Sequence, residues 1–536
     1  MTLTRREFLA AVLGAPVAAA ACRRRRPEPT FGGRLLGQSS ELGHKLLGAV
    51  AAKPGSPREV EVAIVGGGIA GLSAAWRLVR AGFTDFEVLE LEPQPGGTSA
   101  SEASFPWGAH YVPTPEPANR SLVMLLDEMG AIEARGADGS ITWDEETLCL
   151  APQERLFYKG HWQEGLFLTV GATADDLKQL EAFDEAMRAW SGWCDAQGRR
   201  AFALPTARCS DDPEILRLDR ISMARYMDEQ GWTSPRLRWW VDYACRDDYG
   251  LRLEQTSAWA GIFYFAARLA GPGDEPSEFL TWPEGNGRVV KHLASAIGPR
   301  LRTGAMVFDI APGDSSVEIR LIDSKSGAPE SLKAKHVICA TPSFLTRRLV
   351  APFRSSPPEH YARFQYTPWV IANVALRDRP GSLGFPQAWD NVFYESSSLG
   401  YVVSTHQAAI DRGPTVWTWY CALADGDPKA IRRDLLAAPW KRWADAVIAD
   451  LEPAHGGIPE LIDSIDVWRW GHAMVRPEVG FISSGALQKA REPLGRVHFA
   501  HTDLSGLALI EEAHFHGVRA AEAVLRARGV DFESFL

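Results

Sequence analysis

Residues 60–82 restrict the possible folds of this chain more than any other stretch. Val60-Glu61-Val62-Ala63-Ile64-Val65 alternates and is β-branched, the pattern of a strand, and it runs straight into Gly66-Gly67-Gly68-Ile69-Ala70-Gly71. Leu72, Ala75, Trp76 and Val79 then recur at helical spacing up to Gly82, a C-terminal cap. In such a strand–turn–helix, Gly66 permits the tight turn, Gly68 lets the backbone approach a pyrophosphate, and Gly71 lets helix and strand pack closely. Ile69 and Ala70 open the helix, whose N-terminus faces the phosphate charge. A second strand, Phe86-Glu87-Val88-Leu89-Glu90, ends in an acid about 20 residues past the last glycine, where a carboxylate accepts both ribose hydroxyls. This context predicts a dinucleotide-binding α/β domain.

The chain is too long for that domain alone. At 536 residues it exceeds what one hydrophobic core organises, so two or three domains are expected. A formal net charge of −10 leaves no broad cationic surface for a phosphate backbone, which argues against nucleic acid as a partner. Seven cysteines without a Cys-x-x-Cys pair exclude a disulfide scaffold or a zinc ribbon. His498, His501, His514 and His516 lie close in sequence but have no Cys or acid at ligand spacing, so no metal centre is expected. The 19 tryptophans predict large aromatic surfaces in cores or pockets.

Several segments favour a flavin over a nicotinamide. Glu90-Leu91-Glu92-Pro93-Gln94-Pro95-Gly96-Gly97 resembles the segment after the second strand in the flavin-containing amine oxidase superfamily, which also includes protoporphyrinogen oxidases and carotenoid desaturases. Phe105-Pro106-Trp107-Gly108-Ala109-His110 resembles the stretch that returns beneath the flavin. Residues 301–310 resemble the strand whose Val, here Val307, contacts the adenine end through its backbone. Residues 335–342 resemble the strand leaving the cofactor domain, and Gly495 to Asp503, then 510–513 and 517–521, resemble the last cofactor segment.

The resemblance implies an FAD cofactor and an α/β fold. A Rossmann-like, glutathione-reductase-like FAD-binding domain of amine oxidase type (58–112, 283–350 and 485–530) would be interleaved with a mixed-sheet α+β substrate domain (113–282 and 351–484). It further implies that Gly66, Gly68, Ile69, Ala70, Gly71, Glu90, Leu91, Gly96, Gly97, Thr98, Gly108, Ala109, His110 and Val307 bind the cofactor. Asp503 would hold the ribityl-pyrophosphate region. Leu509 and Ile510 would begin a helix aimed at isoalloxazine N1 and O2, where reduction places negative charge.

The sequence also departs from that pattern. Thr98 stands where many members have Arg, and His501 replaces the usual glycine. Residues 280–285 offer no lysine near flavin N5, and Lys291 falls on the following helix. Trp468 and Trp470, at i and i+2, would form a wall over flavin or substrate, or pack as core. With His501 they are the candidate catalytic residues. Asp247, Asp248 and Glu254 would steer a polyamine, or form a solvated face. Residues 258–270 read as a buried apolar helix in preference to a membrane-facing lid.

The expected activity is FAD-dependent hydride removal from the C–N bond of a small-molecule amine. Desaturation of C–C bonds, as in isoprenoids or porphyrinogens, and an inactive flavoprotein scaffold are the alternatives. Oxygen, a quinone or a periplasmic protein all remain open as electron acceptor. At the N-terminus, Thr4-Arg5-Arg6-Glu7-Phe8-Leu9-Ala10 and the apolar run to Ala21 resemble a twin-arginine export signal, which implies a periplasmic or exported protein. Ala19-Ala20-Ala21-Cys22 fits a lipoprotein cleavage site, and an acyl anchor on Cys22 would place Arg23 to Arg26 against anionic headgroups. From Arg23 to about Pro57 the composition predicts a tether.

Overall fold

The computed structural model describes residues 31–45, 55–269, 278–381, 383–410 and 412–536. The twin-arginine pair, Cys22 and the arginines that follow it lie outside these residues.

Among the described residues two large sheets carry the architecture. The first has seven strands, and its centre is parallel. Arg58–Val65 pairs with Phe86–Leu89 on one side and with Pro329–Cys339 on the other, and Val497–Phe499 joins Pro329–Cys339 in parallel. Strands buried on both faces need continuous apolar runs, and Val62 to Val65 and Val337 to Cys339 supply them. Helix Ile69–Arg80 leaves the first strand and packs on Ile510–Ala527 and Gly287–Ile297. Leu72, Trp76, Leu293, Val518 and Leu525 fill the space between these helices and the sheet, each fully buried and worth about 1.5–3 kcal/mol. Gly517 makes the crossing possible, because a Cβ there would stand 2.2 Å from the Ala70 carbonyl oxygen. The strands come from the stretches expected to bind the cofactor.

The second sheet is mixed and has eight strands, ordered Leu35–Gly37, Ile462–Val475, Tyr366–Leu376, Thr415–Ala422, Tyr401–Val403, Asp390–Phe393, Glu154–Tyr158 and His161–Glu164. Its two faces follow the strand period of two. Val370, Ala372 and Val374 pack beneath helix Trp440–Leu451, whereas Trp369 and Ile371 face Trp470, Tyr420 and helix Pro235–Tyr249. Helix Ala258–Ala266 is buried, as its composition suggested. No helix among the described residues is long and apolar enough to cross a membrane.

One segment differs from its sequence expectation. Leu35–Gly37 lies in the stretch read as a tether, yet it adds a parallel edge strand to Val467, Trp468 and Arg469 of the second sheet. Composition predicted a linker, but pairing with a strand more than 400 residues away supplied the missing backbone partners.

Candidate functional site

The glycine turn is shaped by what surrounds it. Gly66 has φ +109, and a Cβ on Gly71 would stand 1.9 Å from the Gly66 carbonyl oxygen. A Cβ on Gly68 would meet nothing within 4 Å, which leaves open space in front of the helix N-terminus. The second glycine pair closes this cradle. Gly96 N–H donates to Gly67 O at 2.8 Å, Gly68 and Gly96 form an isolated bridge, and Gly97 lies against Gly68. Glu90 Oε2 accepts the Gly67 N–H at 2.6 Å, and Oε1 accepts the Glu92 N–H at 2.7 Å. Burial pushes the Glu90 carboxyl up to about 7, against the pull of these two donors. Leu91 follows at the strand end. Ala305 N–H bonds Glu90 O at 2.8 Å, bringing the strand that carries Val307 to this end of the cradle.

Beyond the cradle lies an open cavity whose empty space, solvent at its mouth included, is about 900 Å³. Thr98, Gly108, Ala109, His110 and Asn286 line one side. Gly108 must be glycine, since a Cβ would fall 2.4 Å from the Thr98 carbonyl oxygen. Trp369, Tyr420 and Trp470, from three adjacent strands, line another side. The rings of Trp369 and Tyr420 are parallel within 7° with centroids 6.5 Å apart. Leu509 and Ile510 open the 18-residue helix Ile510–Ala527 onto the same space, and no side chain caps that helix. Asp247, Asp248, Glu511 and Arg268 form an acidic end.

The candidate residues from the sequence divide. Thr98, Gly108, Ala109, His110, Leu509, Ile510 and Trp470 meet at the cavity, and Trp470 spends its indole N–H on Trp107 O at 2.6 Å. Trp468 packs behind it, its ring tilted between Trp107 and Trp470, and does not line the cavity. His501 also stands off the lining. Its Nδ1 accepts the Asp503 N–H at 3.1 Å. Asp503 Oδ2 accepts the Ser343 N–H at 2.8 Å and the Tyr366 hydroxyl. Burial alone would push the Asp503 carboxyl up, but His501, Ser343 and Tyr366 outweigh it and hold it below the ordinary value. Glu254 is exposed away from the cavity, and Lys291 is exposed on its helix. His514 contacts Ser73 and His516 contacts Ser505, so these histidines serve separate places in the core. Asn286, Trp369, Tyr420 and Arg268 were not singled out from the sequence. Only Asn286 carried a local signal, between two glycines after a strand.

The residues present fit a flavin dinucleotide. The open face of Gly68 and the Glu90 carboxylate suit a pyrophosphate and a ribose. Farther in, His110 Nδ1, Asn286 Oδ1, Trp369 Nε1 and Glu511 Oε1 are buried atoms of cavity-lining residues with no hydrogen-bond partner. Unsatisfied buried polar atoms cost about 1–3 kcal/mol each, and a polar ligand would relieve that cost. Burial pushes the His110 imidazole down to about 4, so it faces the space as a neutral ring.

Residues 69–525 match the family described as flavin containing amine oxidoreductase. Among curated proteins, the oxidoreductase PigB of Serratia sp. (strain ATCC 39006) is 22% identical over 300 residues, which is 53% of this chain and 43% of that protein. The match thus spans less than half of that relative. Among solved structures, a putrescine oxidase bound to putrescine superposes with TM-score 0.63 at 17% identity, covering 88% of this chain and all of that one. Cyclohexylamine oxidase from Brevibacterium oxydans IH-35A gives 0.61 at 18%, over 88% and 99% of the two chains. A fatty acid isomerase from P. acnes gives 0.61 at 14%, over 87% and 98%. At these identities the structural likenesses establish the fold.

Proposed function

The chain belongs to the flavin containing amine oxidoreductase family, and from that premise we propose that it is an FAD-dependent oxidoreductase acting on the C–N bond of an amine. The observation that carries this reading is the cavity itself, which joins an uncapped helix N-terminus, an aromatic wall and an acidic end. Bound there, a flavin would supply a hydride acceptor for the carbon–hydrogen bond beside the amine nitrogen, and water would hydrolyse the imine left behind.

The side chains orient substrate and exclude water. Trp369, Tyr420 and Trp470 present π faces to an amine, and Asp247 and Asp248 favour its cationic form on entry. The N-terminus of Ile510–Ala527 supplies backbone donors where negative charge develops. No side chain acts as nucleophile. The names of the putrescine and cyclohexylamine oxidases favour an amine as well.

Mixing the flavin-loaded chain with amines under anaerobic conditions tests the reading. Bleaching of the flavin absorbance by amines is expected. A second reading, removal of hydride from a C–C bond, is favoured by one observation: no lysine lines the cavity among the described residues. Bleaching by polyenes or porphyrinogens alone would select it, and no bleaching by any donor would leave a non-catalytic flavoprotein. Reoxidation by oxygen, by a quinone or by neither separates the electron acceptors.

The same proposal includes export by the twin-arginine route, which carries folded, cofactor-loaded cargo and so suits a chain that must bind FAD before crossing. Replacing Arg5 and Arg6 with lysine should retain the protein in the cytoplasm, and unchanged fractionation would refute export.

A further inference from the structure

An unbroken run of indoles leads from the cavity wall to the protein surface. Trp470 lines the cavity, and a Cβ on Gly108 would lie 3.9 Å from its Nε1, so the ring stands beside the stretch that resembles the one beneath the flavin. Trp468 precedes it by two residues on the same face of strand Ile462–Val475, with ring centroids 5.3 Å apart. Trp107 lies 5.0 Å from Trp468. Trp470 and Trp107 are each 3% exposed, whereas Trp468 is only half-buried. Beyond Trp107 comes the edge of Phe105 at 5.2 Å, and a phenyl ring is too hard to oxidise to extend the path. Trp468 is therefore the outlet of the cluster, and Trp107 is a side branch.

Indole is among the side chains most readily oxidised by one electron, and rings in contact pass the resulting electron hole between them. The surroundings of Trp468 favour keeping that hole as a cation. Its Nε1 is buried and has no hydrogen-bond partner, so no neighbouring base draws off the proton. Trp470 donates its N–H to the Trp107 carbonyl oxygen at 2.6 Å, and an amide carbonyl is too weak a base to take the proton. A hole formed at the cavity thus moves outward along the rings and stays oxidising until it meets a reductant in solution.

We propose that Trp470 and Trp468 carry single electrons from the surface to a flavin held in this cavity, so that blue light reduces the flavin without any amine. Light makes the oxidised ring a strong one-electron oxidant. One electron passes from Trp470 to the excited ring, one from Trp468 to Trp470, and one from a dissolved thiol to Trp468. The thiol gives its proton to water, and the sulfur radicals pair as disulfide. Two such rounds give the flavin two electrons, with protons from water, and turn two thiols into one disulfide. This activity requires the flavin but not the amine reading, because no amine takes part.

The test illuminates the flavin-loaded full chain with blue light, free of oxygen and amine, in the presence of 2-mercaptoethanol. The wild-type flavin should be weakly fluorescent, should bleach in the light and should stay oxidised in the dark. Transient absorption should show an indole radical that outlives the excited flavin. In Trp468→Phe, with flavin absorbance and melting temperature checked against wild type, fluorescence should stay quenched because Trp470 remains, but bleaching should be lost because the hole returns to the flavin before the thiol can fill it. Trp468→Tyr should recover bleaching in part, and Trp107→Phe, which alters the same cluster off the path, should leave it unchanged. Absence of the indole radical in wild type would overturn the proposal with no variant needed. Bleaching at the wild-type rate in Trp468→Phe, or equal loss in Trp107→Phe, would overturn it as well.

Discussion

Glu90 is 8% exposed beneath the glycine turn, and both its oxygens already accept backbone N–H groups, yet burial raises its carboxyl to about 7. A ribose held here would donate its hydroxyls to the ionised carboxylate, so cofactor binding would favour loss of its proton. FAD affinity should therefore rise with pH, by about tenfold per unit while the free chain still holds that proton, and level off above about pH 7. In the empty chain the sign is opposite. A carboxyl raised above its ordinary value contributes stability that is present below that value and is lost as pH climbs through about 7. Equilibrium titration of the stripped chain with FAD between pH 6 and 8 measures the slope, and Glu90→Gln should flatten it. A slope that persists in the variant assigns the proton elsewhere. This residue was legible in the sequence because its position is fixed by local chain geometry, a strand and a turn away from the glycines. Trp369, Tyr420 and Arg268 were not, since they meet at the cavity only through strand pairing and helix packing over 50 to several hundred residues, and no short period encodes such a meeting.

Elements show the same division between local and distant causes. The strands and helix of the cradle follow from alternation, helical spacing and a glycine stop, and each forms where those signals lie. Leu35–Gly37 has no such signal in its Gly- and Pro-rich surroundings and becomes a strand by borrowing the edge of Ile462–Val475. Val467 N–H donates to Arg34 O at 2.9 Å, and Ile465 N–H to Gly32 O at 3.1 Å. Past the strand, the Ser39 N–H and hydroxyl donate to Glu92 at 2.8 and 2.7 Å. Glu92 in turn donates its N–H to Glu90, so this arm braces Glu90 from outside. Removing residues 31–45 should cost about 2–4 kcal/mol, from the four hydrogen bonds above at about 1 kcal/mol each, with the exposed Arg34–Asp466 pair adding little, and should uncover an edge next to Trp468. The expected result for a chain starting at residue 55 is a lower melting temperature, weaker FAD binding and concentration-dependent light scattering. If melting, affinity and scattering all match the longer chain, the arm is only a tether.

Over the whole molecule, the residues that meet at the site come from near positions 66, 97, 108, 286 and 510, so a cofactor held there would tie together parts of the chain that sequence keeps far apart. What aligns its two helical ends is a second contact. Helices Ile69–Arg80 and Ile510–Ala527 both start at the site and run away from it side by side, and at their far ends Arg77 meets Glu522 with Nε–Oε1 at 3.0 Å. Both side chains are essentially inaccessible to solvent, at 1% and 0%. The C-terminal segment completes the enclosure. Arg77 donates to Glu533 O at 2.6 Å and lies over the Phe535 ring at 3.9 Å, while the Phe535 N–H and Ser534 hydroxyl donate to Glu522. Breaking one side of a buried pair costs about 3–5 kcal/mol when the other charge is left alone. Glu522 keeps Arg526, with Nη2–Oε2 at 3.0 Å, so the cost here falls at or below the low end of that range. Arg77→Met should therefore destabilise the chain although it lies about two helical turns beyond the glycine turn, and by letting the two helices part it should also weaken FAD binding. A ligand that binds only the folded chain restores stability by mass action, about 2.7 kcal/mol at one hundred times its Kd, so the melting temperature of the variant should climb with added FAD. Melting curves over a range of FAD concentrations decide the matter. A variant destabilised to the same extent but with wild-type FAD affinity would show that the pair holds the fold without setting the site, and wild-type melting would show that it does neither.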